Sequence, residues 1–291
     1  MKLNCGSRII EQLFSGPAVK GEPYSARAPR REPDVKFILG WIRRVSDLGL
    51  DSLCLWIPSE RNLELVSQDE STEKIRLSCE QRSVTIDNLA VSFLSPWTSE
   101  RVDSGRIERA WSRLAGFADA VGAEVLEMLS PSLPASGPSF SWTKAWSAYT
   151  SRMRQYARLA ETHGLRLAVE PRPMDILGNT DALLRLMDVV TSESLGAVID
   201  FGHVQMAREE PTLAVRKLAG RTFSVHLSDY DGITDSHWPP GQGIIDWYPI
   251  FAALRAAKYD GILSLDVSGM DVEQEVIEAR EYVEEIMRKA R

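Results

Sequence analysis

Short apolar runs that close on a polar residue alternate along this chain with longer stretches of helical period, and no other feature restricts the fold as much. The strand-like runs are Lys2–Cys5, Asp51–Trp56, part of Ser83–Phe93, Glu124–Leu129, Arg166–Val169, Leu195–Ile199, Thr222–Leu227 and Ile262–Val267. Between them Val35–Leu48, Arg106–Val121, Trp142–Thr162, Thr180–Val190, Thr212–Leu218, Trp247–Ala257 and Val272–Lys289 read as helices, with a weaker one at Thr72–Arg82. Val272, Val276, Val283 and Met287 mark the apolar face of the last. Eight strands, each followed by a helix, predict a single α/β domain of the (β/α)8 TIM-barrel type. Such a barrel takes about 250 residues and carries its active site at the C-terminal ends of the strands. The surplus length of this 291-residue chain falls in Ser15–Pro33 and Ser130–Ser139. Neither has the apolar content of a domain, so residues 1–291 are expected to form one unit, with both segments as surface loops or substrate covers.

Composition narrows the function. A net charge of −7 argues against nucleic acid and anionic membrane as general partners. Small-molecule chemistry is the better expectation, and a homo-oligomer is compatible with it. Three cysteines without a CxxC give neither a disulfide framework nor a thiolate zinc site, as in a reducing cytoplasm. No leader-like N-terminus and no run of about 18 apolar residues is evident.

Metal-capable side chains gather at the predicted strand ends. "RLAVEPRP" finishes with Glu170, "GAVIDFGH" with Asp200 and His203, "SVHLSDYDG" carries His226, and "GILSLDVSG" ends on Asp266. Consecutive strands thus bring three carboxylates and an imidazole to one rim. Such a group repels itself unless a cation neutralises it. Oxygen and nitrogen ligands without sulfur suit one divalent ion, Mn²⁺, Mg²⁺, Co²⁺ or Zn²⁺.

The stretches "VEPRP", "VIDFGHVQMA", "VHLSDYDG" and "DSHWPPGQGIIDWYPIFAALRAAKYDGILSLDV" resemble the xylose isomerase-like TIM-barrel superfamily, in particular its sugar phosphate isomerase/epimerase group. The resemblance implies a metal held by Glu170, Asp200, His226 and Asp266, and a substrate contact from His203. It also implies carbohydrate chemistry: Glu170 and Asp266 exchange a proton beside the carbonyl of a sugar or keto-sugar, through a metal-stabilised enediolate. Asp266 stands where the family has glutamate. Its shorter reach favours one-base chemistry: isomerisation with substrate-mediated proton return, or a metal-dependent lyase acting on a keto-cyclitol, a dehydroshikimate-type acid or an oxidised C-glycoside. A sugar-binding barrel without activity is the non-enzymatic alternative.

His203, Asp235 and His237 form a further set that resembles one zinc site of barrel endonucleases acting at abasic DNA. The negative charge and the lack of histidines before His163 weigh against that activity. Hydrogen bonding to substrate hydroxyls is the expected role, with a second metal as the alternative. Arg172, two residues past Glu170, is a candidate grip on an anionic or carbonyl oxygen. Trp56, Trp97 and Trp238 are candidate stacking surfaces, and the glycines of "PPGQG" are expected to carry their loop past the metal.

Overall fold

The computed structural model describes residues 1–9, 32–94, 103–133, 140–268 and 271–290. Its strands are β1 (Lys2–Cys5), β2 (Ser52–Ile57), β3 (Thr85–Val91), β4 (Val125–Leu129), β5 (Arg166–Glu170), β6 (Leu195–Asp200), β7 (Thr222–Leu227) and β8 (Ile262–Leu265). They close into one barrel in chain order, and every neighbouring pair is parallel. Around it lie α1 (Val35–Asp47), α2 (Glu60–Val66), α3 (Asp69–Arg82), α4 (Ser104–Val121), α5 (Trp142–His163), α6 (Thr180–Val190), α7 (Phe201–Met206), α8 (Pro211–Lys217), α9 (Trp247–Ala256) and α10 (Val272–Lys289).

The eight expected strands and the expected helices are all present, so the chain is a (β/α)8 barrel. Polar residues start the helices where the sequence changes period: the side chains of Asp34, Ser141, Asn179 and Asp271 accept hydrogen bonds from first-turn N–H groups. Two short helices, α2 and α7, are not among those expected from the sequence; they have seven and six residues.

Burial splits the barrel into two apolar layers. Leu126, Leu167, Val169, Ile199, Val225, Leu227 and Leu263 pack with the helices, whereas Val125, Ala168, Val198 and Ile262 form a small separate cluster. The period of two along a strand places that cluster inside the barrel. The rest of the interior is polar: Asn4, Ser52, Asn88, Glu127, Ser224 and Ser264 are all buried. The apolar plug closes one end and leaves the other to chemistry.

Residues 10–31, 95–102 and 134–139 lie outside the described residues, and with them Trp97 and most of both expected loops. Among the described residues no helix is long and apolar enough to cross a membrane. Cys5, Cys54 and Cys79 are free thiols.

Candidate metal centre

The strand alternation that builds the plug also delivers the site. Two residues beyond Ala168, Val198, Ser224 and Ser264 on the same face stand Glu170, Asp200, His226 and Asp266. All four are buried, from 1% to 5% exposed. The β6–β7 register sets Asp200 directly beside His226. His226 Nδ1 lies 3.5 Å from Glu170 Oε2 and 3.9 Å from both Asp200 Oδ2 and Asp266 Oδ2. Glu170, Asp200 and His226 offer ligand atoms within 4.8 Å of one another, and Asp266 forms such a group with Asp200 and His237 instead.

A second group, His203, Asp235 and His237, has the same ligand spacing and comes from loops and a short helix. Asp200 is the N-cap of α7, and its Oδ1 accepts from His203 N at 2.8 Å, which fixes His203 one turn on. His203 Nδ1 reaches Glu170 Oε1 at 2.7 Å, and its Nε2 is 3.4 Å from Asp235 Oδ1. His237 Nε2 is 2.8 Å from the same oxygen, and its Nδ1 is 3.2 Å from Asp266 Oδ2. His237 sits in the left-handed region at φ 47°, a backbone cost that the surrounding loop sustains. Backbone pairing of Asp229 with Trp238 turns that loop back onto the rim.

Four residues that sequence reasoning did not single out shape the site. Arg8, beyond β1, binds both oxygens of Asp266: its Nε donates to Oδ2 at 3.0 Å and its backbone N to Oδ1 at 3.3 Å. Gly6 permits this approach, because a Cβ there meets the Leu265 carbonyl oxygen. Glu127, in the middle of β4, holds His226 Nε2 at 3.1 Å. Asp175 accepts from Arg172 Nε at 2.9 Å and from Ser130 Oγ at 3.1 Å, so Arg172 lines the cavity as one half of an ion pair. Asp229 gathers the glycine-rich loop. Its carboxylate accepts from Tyr230 N, Gly241 N, Ile245 N and Trp247 Nε1. The "PPGQG" glycines make the turns that let this loop close on Asp229: Gly241 has φ 93°, and a Cβ on Gly243 meets Asp229 Oδ1. A carboxyl inside an apolar strand run, "EVLEML", is the signal that marks Glu127; nothing in the sequence separates Asp229 from its acidic neighbours. Trp56 is buried, with Nε1 donating to Ser92 Oγ, so it packs instead of stacking on a ligand. His163 ends α5, at the opposite end of β5 from Glu170.

Residues 42–288 match the family described as xylose isomerase-like TIM barrel. The chain belongs to that family. A curated relative, inosose dehydratase of Clostridium perfringens, is 23% identical over 208 residues, covering 61% of this chain and 70% of its own. An uncharacterized Methanocaldococcus jannaschii protein is 26% identical over 49% of this chain, which spans only 52% of that relative's length. Two solved structures share the fold of this xylose isomerase-like barrel. D-psicose 3-epimerase of Clostridium cellulolyticum, described with D-tagatose, superposes with a TM-score of 0.76 at 14% identity, covering 99% of both chains. The IOLI protein, described with a bound zinc atom, gives 0.74 at 15% identity, covering 100% of this chain and 99% of its own.

Electrostatics of this xylose isomerase-like site fit a divalent ion. Burial alone pushes the Glu170 carboxyl up, but the charge of His226 and the hydrogen bond from His203 hold it down at about 2. Burial likewise opposes ionisation of Asp266, and the Arg8 and His226 charges keep it well below the carboxylate range. Burial pushes the imidazoles down, yet Glu127, Glu170 and Asp266 lift His226 to about 10, and Asp200 with Asp235 raises His203. Protons on imidazole thus provide the cationic charge that the carboxylates demand. His203 Nδ1 and Nε2, His226 Nδ1 and His237 Nε2 are buried without a hydrogen bond of good geometry. Buried, unpartnered nitrogens facing carboxylates are what a metal ligand set presents before it gives up its protons to an ion.

Proposed function

We propose that this chain is a divalent-metal-dependent enzyme acting on a sugar or sugar-derived keto substrate, with Glu170 as the base that removes the proton beside the carbonyl. Glu170, Asp200 and His226 would hold the ion, joined by Asp266. When bound, the ion supplies positive charge for the oxyanion that develops at the carbonyl. The residues of the chain account for the rest. Glu170 lines the cavity and takes the proton on one face. His203 and His237, joined through Asp235, donate to substrate hydroxyls, and Arg172, steadied by Asp175, orients a carbonyl or acidic group.

One observation carries the choice of reaction: Arg8 occupies both oxygens of Asp266. Inverting a single carbon takes a base on each face of the substrate, whereas elimination of a β-hydroxyl takes one base and a proton donor for the leaving group. His203, 2.7 Å from Glu170, would be that donor. The reading best supported is therefore a lyase that dehydrates a keto-sugar, keto-cyclitol or related acid. An isomerase or epimerase is the second reading: isomerisation would use Glu170 alone, and epimerisation would use Asp266 as well, which lines the same cavity.

A panel of ketoses, keto-cyclitols and dehydroshikimate-type acids in deuterium oxide separates them. The lyase produces an ultraviolet-absorbing enone or alkene that chelation abolishes; the isomerase or epimerase returns a deuterated sugar without absorbance. Binding without deuterium exchange ends both in favour of a non-catalytic barrel.

A further inference from the structure

We propose that Glu127 is the positioning residue of the candidate metal centre, holding the far nitrogen of His226 so that Nδ1 faces Glu170 and Asp200 with its lone pair. The inference rests on the metal reading above. Glu127 is 4% exposed, reaches the cavity from mid-strand β4, and belongs to none of the three ligand groups. Its Oε2 meets His226 Nε2 at 3.1 Å and Cys54 Sγ at 3.6 Å, while its Oε1 accepts from Asn88 Nδ2.

The contacts run in one direction. A carboxylate only accepts, so Asn88 must turn its amide nitrogen toward Glu127, which leaves Asn88 Oδ1 to accept from Asn4 Nδ2 at 2.9 Å. Polar side chains from β1, β3, β4 and β7 thereby form one line across the barrel interior, ending on the imidazole. The same logic fixes His226. Nε2 carries the proton it donates to Glu127, and the remaining nitrogen, Nδ1, is the one with Glu170, Asp200 and Asp266 within 3.9 Å. A ring pinned at one nitrogen by a buried acceptor presents the other in a set orientation and tautomer, and the acceptor's charge raises its basicity as a ligand.

The test is Co²⁺ binding to the metal-free full chain, followed by titration and by the cobalt absorption spectrum. Glu127→Leu fills the space with an apolar side chain and removes the acceptor, so affinity should fall by about 10- to 100-fold with an altered spectrum, the range expected for losing an outer carboxylate partner. Glu127→Gln restores an oxygen acceptor once the Asn88 and Asn4 amides turn over, and should recover most of that affinity. A role in packing alone predicts wild-type cobalt affinity and spectrum in both folded variants. Wild-type affinity and spectrum in Glu127→Leu overturn the proposal. Should that variant fail to fold, ¹⁵N spectra of the zinc-loaded wild type decide: Nε2–H with Nδ1 bound supports the assignment, and coordination through Nε2 overturns it. A wild-type chain that takes up no Co²⁺ ends the metal reading itself, a distinguishable failure.

Discussion

The two groups of metal-capable residues are built by different means. Glu170, Asp200 and His226 stand on or at the ends of barrel strands, where backbone pairing fixes each Cα: Glu170 beside Leu129, Asp200 beside His226, and His226 between Asp200 and Ser264. His203, Asp235 and His237 depend on a six-residue helix and on a loop tied down by Asp229. Asp200 links the two groups: it faces His226 with one oxygen and caps the helix of His203 with the other. The strand group thus places His203 of the loop group through the cap at Asp200, whereas the loop group meets the strands through side-chain contacts to Glu170 and Asp266. Chemistry that tolerates no misplacement belongs on the first, and recognition on the second.

The largest expected effect tests the strand group. Glu170→Gln should lower solvent exchange of the substrate α-proton by about 10²- to 10⁴-fold at saturating metal, the range for deleting a positioned base. Deuterium uptake with metal content determined in parallel is the measurement; full exchange in the metal-replete variant removes Glu170 from its role. Next comes a paired contrast. His226→Ala should weaken metal binding beyond the roughly 100-fold that loss of an outer partner brings, while His203→Ala keeps its ion and loses turnover or substrate affinity. Equal loss of metal from both erases the distinction between the groups.

A third prediction concerns the anchor of the loop. Asp229→Ala leaves four buried or partly buried donors unsatisfied and should cost about 3 kcal/mol of stability, read from denaturant unfolding. In the folded fraction, substrate affinity should fall more than metal affinity, because only the loop group loses its support. A matching fall in both indicates that the groups are mechanically one.

The same contrast decided what the sequence disclosed. Period-two alternation writes strand faces directly into the chain, so "LAVE", "AVID" and "SVHL" reveal both the strands and the residues they deliver. Helix α7 begins at the residue after its strand and is too short for a period, so the capping relation of Asp200 to His203 was invisible, although the two residues themselves were not. Arg8 follows a four-residue strand and meets Asp266 only because β1 and β8 are neighbours once the barrel has closed. Contacts made by closure leave no local trace. Glu127 and Asp229 act through buried hydrogen bonds to groups distant in the chain, and an acid's local sequence does not say which donors will surround it.

The smallest expected effect is a gain, and it probes the one strand-end ligand that behaves differently from the rest. Asp266 has the placement of the strand group but the partners of both: Arg8 on its two oxygens, and His237 at 3.2 Å. A carboxylate so occupied can hold an ion weakly and is a poor base, so Asp266→Asn should reduce metal affinity while α-proton exchange persists once metal is saturating. Lengthening the side chain alone changes little, because Arg8 follows the carboxylate. Arg8→Met combined with Asp266→Glu removes the guanidinium and adds about 1.5 Å of reach, and should give a low rate of proton delivery to the opposite face, seen as a deuterated epimer. That rate should be small beside the loss in Glu170→Gln, since nothing else on that face is arranged for catalysis. The decisive result runs the other way. If metal-replete Asp266→Asn loses exchange as completely as Glu170→Gln, Asp266 is a working second base despite Arg8, the epimerase reading displaces the lyase, and the guanidinium must leave the carboxylate during turnover.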